Sequence, residues 1–160
     1  MGVPVADAVT TAKFPSTGEY TIFVRTFNWT SPWYGGEGPG KFRLVVNGEE
    51  MPPVIGASGS EWFWQNAGKV TVENKKTTFA LHDLTGFNGR VDAIYFTKGN
   101  TPPPNELVAL EEFRKKQPNI PNTPEDAGEF DLVVIGGGVA GTAASISASR
   151  LGLKVALIQD

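Results

Sequence analysis

Residues 131–160 constrain this chain more tightly than any other stretch. They read Asp131-Leu-Val-Val-Ile135, then Gly136-Gly137-Gly138-Val139-Ala140-Gly141, then small residues to Arg150, then Lys154-Val-Ala-Leu-Ile158. Leu132 to Ile135 is an uninterrupted apolar run rich in β-branched residues, the pattern of a parallel strand buried on both faces. The glycines follow at once. A helix from about Val139 to Arg150 carries Ala140, Ala143, Ala144 and Ala148, so it can lie close to a sheet, and Gly152 ends it before the second strand. A glycine-rich spacing alone is weak, but strand, glycine turn, helix and strand in one unit point to a dinucleotide site, against the alternative of a buried βαβ unit with no ligand. In such a turn Gly136 permits the bend, Gly138 lets the backbone approach a pyrophosphate, and Gly141 lets the helix close on the strand. The helix N-terminus, with Gly137, Val139 and Ala140 beside it, turns N–H groups and a positive dipole end toward the phosphates.

The pattern departs from the ideal at its far end. An acidic residue commonly follows the second strand and bonds the adenosine ribose; the corresponding position is Gln159, and the carboxylate comes one residue later, at Asp160. Gln159 can both donate to and accept from ribose hydroxyls, whereas Asp160 would point to the opposite side of a continuing strand. Gln159 is therefore the expected ribose contact. Ser145 stands where Gly or Ala is usual. One crossover cannot bury both faces of a parallel sheet, so the expectation is a fragment of a larger domain, poorly packed by itself.

Composition divides the chain. Fifteen of seventeen aromatic residues lie before Thr97, and six of twelve prolines lie between Pro102 and Pro124. The shift predicts a β-rich module over 1–97, a proline-rich linker with a short helix over 98–129, and the start of a Rossmann-like domain over 130–160. A net charge of -3 without a basic stripe gives no reason to expect nucleic acid as a partner. No apolar run is long enough to span a bilayer as a helix, and the first residues lack a signal-peptide pattern, so a secreted parent would carry its signal upstream. With no cysteine, the compartment stays open.

Residues 8–96 read as short strands between turn signals. Stretches 8–14 and 19–27 look like hairpin partners across Pro15-Ser-Thr-Gly18, with no partner in sight upstream of the first. Stretch 41–46 alternates into Asn47-Gly48, a strong hairpin signal, and further strands are expected at 62–65, 69–72, 77–81 and 90–96. The sum is an antiparallel β-sandwich. In the linker, Asn105 is the expected cap of a helix reaching about Gln117, with Leu107, Leu110 and Phe113 on one side and the pairs Glu111–Lys115 and Glu112–Lys116 on the other. Pro118, Pro121 and Pro124 prevent its extension.

All four tryptophans fall in two clusters, Asn28-Trp29-Thr-Ser-Pro-Trp33-Tyr34 and Glu61-Trp62-Phe-Trp64-Gln65. Flat rings with amides alongside suit a sugar surface, but indoles also fill sandwich cores. Trp29, Trp33 and Tyr34 are the better ligand candidates because their loop is rich in Gly and Pro. The segment His82-Asp83-Leu-Thr-Gly-Phe-Asn-Gly-Arg90-Val-Asp92 holds the only histidine, which cannot supply a multi-histidine metal site; no metal is expected. A His-Asp pair can do acid/base work, yet His82 and Arg90 more commonly tie down a turn. Nothing has the spacing of a Ser/His/Asp system, and no catalytic residue is assigned.

Together, Pro4-Val-Ala-Asp-Ala-Val-Thr10, Val24-Arg-Thr26 with Trp29, Gly36-Glu-Gly-Pro-Gly-Lys-Phe42, Leu81-His-Asp-Leu-Thr-Gly-Phe87, Phe130 to Gly141 and Val155-Ala-Leu-Ile-Gln-Asp160 resemble a group of FAD-dependent oxidoreductases from polysaccharide-degrading bacteria. That group is often labelled xanthan lyase, because its N-terminal module is similar to one in xanthan lyase and golvesin. The resemblance implies a carbohydrate-binding-type sandwich of jelly-roll, galactose-binding-like form, and FAD rather than NAD(P) held through Gly136, Gly138 and Gly141. It implies a glycan or sugar-derived substrate, and flavin and substrate contacts beyond Asp160.

Overall fold

The computed structural model of the protein describes residues 2–117, 123 and 125–159. They fall in two compact units, Met1–Gln117 and Pro118–Asp160.

The first unit is an antiparallel sandwich of β1 (Ala8–Lys13), β2 (Gly18–Phe27), β3 (Phe42–Val46), β4 (Glu49–Glu50), β5 (Phe63–Val72), β6 (Lys76–Asp83) and β7 (Arg90–Thr97). One sheet has the order β1-β6-β3-β4, the other β5-β2-β7. Period-two alternation sends Ile22 and Val24 of β2 to meet Leu44 and Val46 of β3, Val72 of β5 and Phe79 of β6 in one core. Asn47 and Gly48 adopt positive φ (49° and 89°), making the tight turn that joins β3 to β4.

Two strand expectations need correction. Stretches 8–14 and 19–27 are not hairpin partners: β1 pairs with β6, and β2 lies in the other sheet between β5 and β7. The cause is Phe14, buried with its ring against Tyr20, Phe79 and Phe96, which draws the connection across the core instead of back along the same sheet. The strands expected at 62–65 and 69–72 are one strand, β5. Asn66-Ala-Gly68 reads as a turn, but Gly68 at φ 103° supports a bulge, with buried Ala67 skipped in the register opposite Ile22 and Phe23.

β2 is buried on both faces. Its outer face meets the segment around helix α1 (Leu107–Lys115), where Arg25 bonds Asn105, Tyr95 stacks edge-on against Phe113, and Trp64 donates to the Pro104 carbonyl. Trp62 and Trp64 thus pack under this segment, Trp62 beside Phe27, and not in the core. The helix cap is Glu106 rather than Asn105: its carboxylate accepts from the Val108 and Ala109 N–H groups, which holds its pKa below the ordinary value. Asn105 is committed to Arg25 and the Trp62 carbonyl. Leu110 is buried and Leu107 exposed, and Glu112 reaches Lys115 at 3.6 Å rather than Lys116. Pro118, Pro121 and Pro124 lie outside the described residues.

In the second unit β8 (Leu132–Ile135) pairs in parallel with β9 (Val155–Ile158), and α2 (Val139–Arg150) makes the crossover. Gly152 at φ 86° closes the helix, its N–H bonding the Ser149 carbonyl while that of Leu153 bonds Ala148. The helix does not face the strands through Ala140, Ala143 and Ala144, which are exposed. Its inner line is Gly141, Ser145 and Ala148, one helical repeat apart, because Gly141 is the point of closest approach; Ser145 Oγ donates to the Gly141 carbonyl at 2.8 Å. Val133, Ile135 and Ile158 are exposed apolar residues of the two strands.

Candidate functional site

The glycine loop is built by three constraints. Gly136 takes φ 101°, a value closed to most side chains, and its N–H donates to the Ile158 carbonyl at 2.8 Å, which ties the turn to the end of β9. Gly141 admits no side chain, since a Cβ there would lie 1.8 Å from the Gly136 carbonyl oxygen. Thr142 Oγ1 donates to the Gly137 carbonyl at 2.9 Å and fastens the loop from the helix side. Sequence reasoning missed Thr142; its signal was a hydroxyl one residue past the last glycine. At Gly138, by contrast, a Cβ would meet nothing within 4 Å. Gly138 caps α2 with no side-chain acceptor, and Val139 and Ala140 are exposed, so the first helical N–H groups have no side chain in front of them. This open, uncapped helix start has the donor set that a diphosphate needs, and the residues fit that group. Gln159 comes to the same loop, its Oε1 accepting from the Gly137 N–H. Asp160 lies outside the described residues.

The aromatic loop forms a second candidate site. Trp29, Trp33 and Tyr34 line one groove of about 690 Å³ with Thr30, Glu37, Gly38, Pro39 and Lys41. Trp33 is 80 % and Tyr34 64 % exposed, while Trp29 is half-buried and donates through Nε1 to the Phe87 carbonyl at 3.4 Å. Buried Asn28 is the scaffold: its Oδ1 accepts from both the N–H and the hydroxyl of Thr30, and a Cβ on Gly38 would clash with it at 1.9 Å. The Trp33 and Tyr34 N–H groups bond the Thr30 carbonyl, fixing the turn that presents the two rings. Glu37 and Lys41 pair at 2.6 Å, which lowers the Glu37 pKa. The far wall, Glu37 to Lys41, was missed as a site; its Gly-Glu-Gly-Pro-Gly-Lys spelling was the available signal.

His82 does not join Asp83 as an acid/base pair. Its Nδ1 lies 2.8 Å from Asp7 and its Nε2 3.9 Å from Glu50, which also bonds Arg43. The Asp83 carboxylate accepts instead from the N–H groups of Val5, Thr85 and Gly86, so its pKa falls. Arg90 is exposed, and Asp92 belongs to the Arg25 and Arg114 network. The hydrogen bond to Asp7 raises the His82 pKa above its ordinary 6.5, against desolvation and with help from the charges of Asp7, Glu50 and Asp83. A raised pKa means the protonated pair stabilises the fold fully below pH about 6.5, and the contribution disappears as pH rises through the higher folded value. The pH titration of the His82 ring protons should therefore have its midpoint above 6.5, and Asp7→Asn should lower it; an unchanged midpoint in Asp7→Asn would remove Asp7 as the cause.

Comparison with known proteins gives the following. The FAD dependent oxidoreductase family profile matches residues 131–160. Mitochondrial glycerol-3-phosphate dehydrogenase of Schizosaccharomyces pombe is 38 % identical over 64 residues, 40 % of this chain; the match spans only 8 % of that protein's length. Similar solved structures include a family 35 carbohydrate binding module from an environmental isolate (TM-score 0.45, 21 % identity, 62 % of this chain and 69 % of that one). The Podospora anserina GH26-CBM35 β-(1,4)-mannanase is also similar (TM-score 0.43, 15 % identity, 94 % of this chain and 33 % of that one). No helix among the described residues is long and apolar enough to cross a membrane.

Proposed function

We propose that this chain is the N-terminal part of an FAD-dependent oxidoreductase, with the FAD diphosphate held by the glycine loop and a glycan held by the aromatic groove of the sandwich. The observation that carries the first half is the loop itself. Gly136 in a left-handed conformation and Gly141 against its carbonyl leave Gly138 facing open space at an uncapped helix start, within the stretch that the FAD family profile matches. Gly137, Gly138, Val139, Ala140 and Gly141 would supply the backbone that faces the diphosphate, with Gly136 making the bend. Gln159 would meet the adenosine ribose. FAD, when bound, supplies the hydride-accepting chemistry, and these residues serve to bind and orient it. FAD is favoured over NAD(P) by the family profile, since the loop spacing alone serves both.

The test is the visible absorption spectrum of the purified full-length protein. A flavin spectrum is expected. A colourless protein that also takes up no added FAD would remove the oxidoreductase reading and leave the sandwich as the working part. That second reading, a non-catalytic carbohydrate-binding module, rests on the exposed Trp33 and Tyr34 rings in the groove. A xanthan lyase is the weaker reading, since no catalytic residue for it is assigned, and finding no unsaturated sugar product from the full-length protein would remove it.

A further inference from the structure

The sandwich has a second cavity, of about 360 Å³, whose lining includes Ala8, Phe42, Leu81, Asp83, Asn88 and Val91. It adjoins the aromatic groove, because segment 39–42, which contributes to both linings, is hydrogen-bonded to segment 84–89, which contributes to the cavity. The Leu84 N–H bonds the Lys41 carbonyl at 3.0 Å, the Thr85 hydroxyl bonds the Pro39 carbonyl, and Trp29 of the groove reaches the Phe87 carbonyl. Pro39 and Lys41 line the groove, Gly86 and Asn88 line the cavity, and Phe87, the residue between the last two, offers its carbonyl to Trp29 of the groove. Phe87 is exposed.

The charges along this path are already satisfied. Glu37 and Lys41 bond each other, and Asp83 accepts three backbone N–H groups. Among the described residues the Asn88 side chain makes no hydrogen bond, so one free carboxamide borders an otherwise largely apolar cavity. Apolar rings with an unpaired amide suit a neutral sugar chain; among the described residues that line the groove and the cavity the one cation, Lys41, is already paired with Glu37, and the exposed Arg90 lies outside both linings.

We infer that the glycan site is bipartite: a neutral oligosaccharide of at least three or four sugars runs from the Trp33–Tyr34 groove over the Phe87 ring to Asn88. This deepens the glycan reading proposed above and rests on it. Asn88 lies at φ 51°, a left-handed conformation that glycine adopts without strain, so Asn88→Gly removes the amide and keeps the turn. Phe87→Ala keeps the carbonyl that Trp29 needs.

The experiment is calorimetric titration of the full chain with neutral β-1,4-linked gluco- and manno-oligosaccharides of one to six units, with oligogalacturonates as the charged comparison. Affinity should climb from disaccharide to tetrasaccharide and stay low for oligogalacturonates. Asn88→Gly and Phe87→Ala should each weaken tetrasaccharide binding about threefold to tenfold, the effect of one neutral contact, and leave the disaccharide unchanged. Trp33→Ala should weaken every length. Binding that levels off at the disaccharide and ignores both variants, with their circular dichroism unchanged, would overturn the bipartite site and leave the groove standing. Preference for oligogalacturonates would overturn the neutral class. Failure of every glycan to bind would overturn the groove reading itself, and this inference with it.

Discussion

Gly141→Ala is expected to leave the full-length protein without its flavin, lowering FAD affinity at least about a hundredfold, the equivalent of roughly 2.7 kcal/mol. The added methyl would sit 1.8 Å from the Gly136 carbonyl oxygen and 3.0 Å from its carbon, and backbone cannot turn aside as a flexible side chain can. Nor can Gly136 move freely, since its N–H is bonded to Ile158 and its φ is already 101°. Helix α2 must then lift from β8, carrying the uncapped N–H groups away from where the diphosphate would lie. Gly138→Ala is the contrasting variant: at φ −63° and with nothing within 4 Å of the new Cβ, it should fold normally and yet obstruct the ligand. FAD titration together with amide exchange in β8 and α2 separates the two. Loss of FAD is expected in both, and loss of protection only in Gly141→Ala. If Gly141→Ala binds FAD like the parent, the close approach does not shape the loop.

Asp92→Ala is expected to destabilise the first unit by about 2 kcal/mol, less than the roughly 3–5 kcal/mol that breaking a fully buried ion pair costs, because the Asp92 side chain is 29 % exposed. Asp92 serves two arginines through one oxygen, Arg25 at 2.8 Å and Arg114 at 2.6 Å. Arg25 is 7 % exposed and also bonds Asn105 and lies over the Trp62 ring. Without Asp92 it would be a buried cation whose remaining partners are an amide and an indole face, and α1 would lose its Arg114 anchor to β7. All four tryptophans belong to this unit, so their fluorescence during urea unfolding follows it selectively. Arg25→Met combined with Asp92→Ala should recover part of the loss, since it removes the orphaned charge and keeps an apolar stem under Trp62. A midpoint unchanged in Asp92→Ala would show that the apolar contacts of Leu110 and Phe113 hold the helix by themselves.

What the sequence reveals of this molecule follows the range of each interaction. The β8-loop-α2-β9 unit is local, and its spelling marks the strands within a residue and the roles of Gly136 and Gly141 in the backbone. Asn47-Gly48 is equally local. Pairing is not: nothing in stretch 8–14 says that it belongs to β6, because that choice is made by Phe14 packing against Phe79 and Phe96 far along the chain. Asn66-Ala-Gly68 spells a turn, and only the pull of β2 on both sides of it turns it into a bulge. Glu106 displaces Asn105 as a cap because Arg25, eighty residues earlier, claims the amide. The gathering of Trp29, Trp33 and Tyr34 was legible from their loop. The Glu37–Lys41 wall and the Phe87 turn beside them were not, since they are brought there by the β3 and β6 ends.

The pairing of β1 with β6 also sets an order of events during synthesis. β1 must wait for β6, Ala8 meeting Leu81, while β2 emerges next to it as a nearer and incorrect mate. Contacts this distant close slowly and leave apolar edges open meanwhile. The exposed threonines of β1, Thr10 and Thr11, lower the cost of that delay, because a strand this polar has little to gain from a premature neighbour.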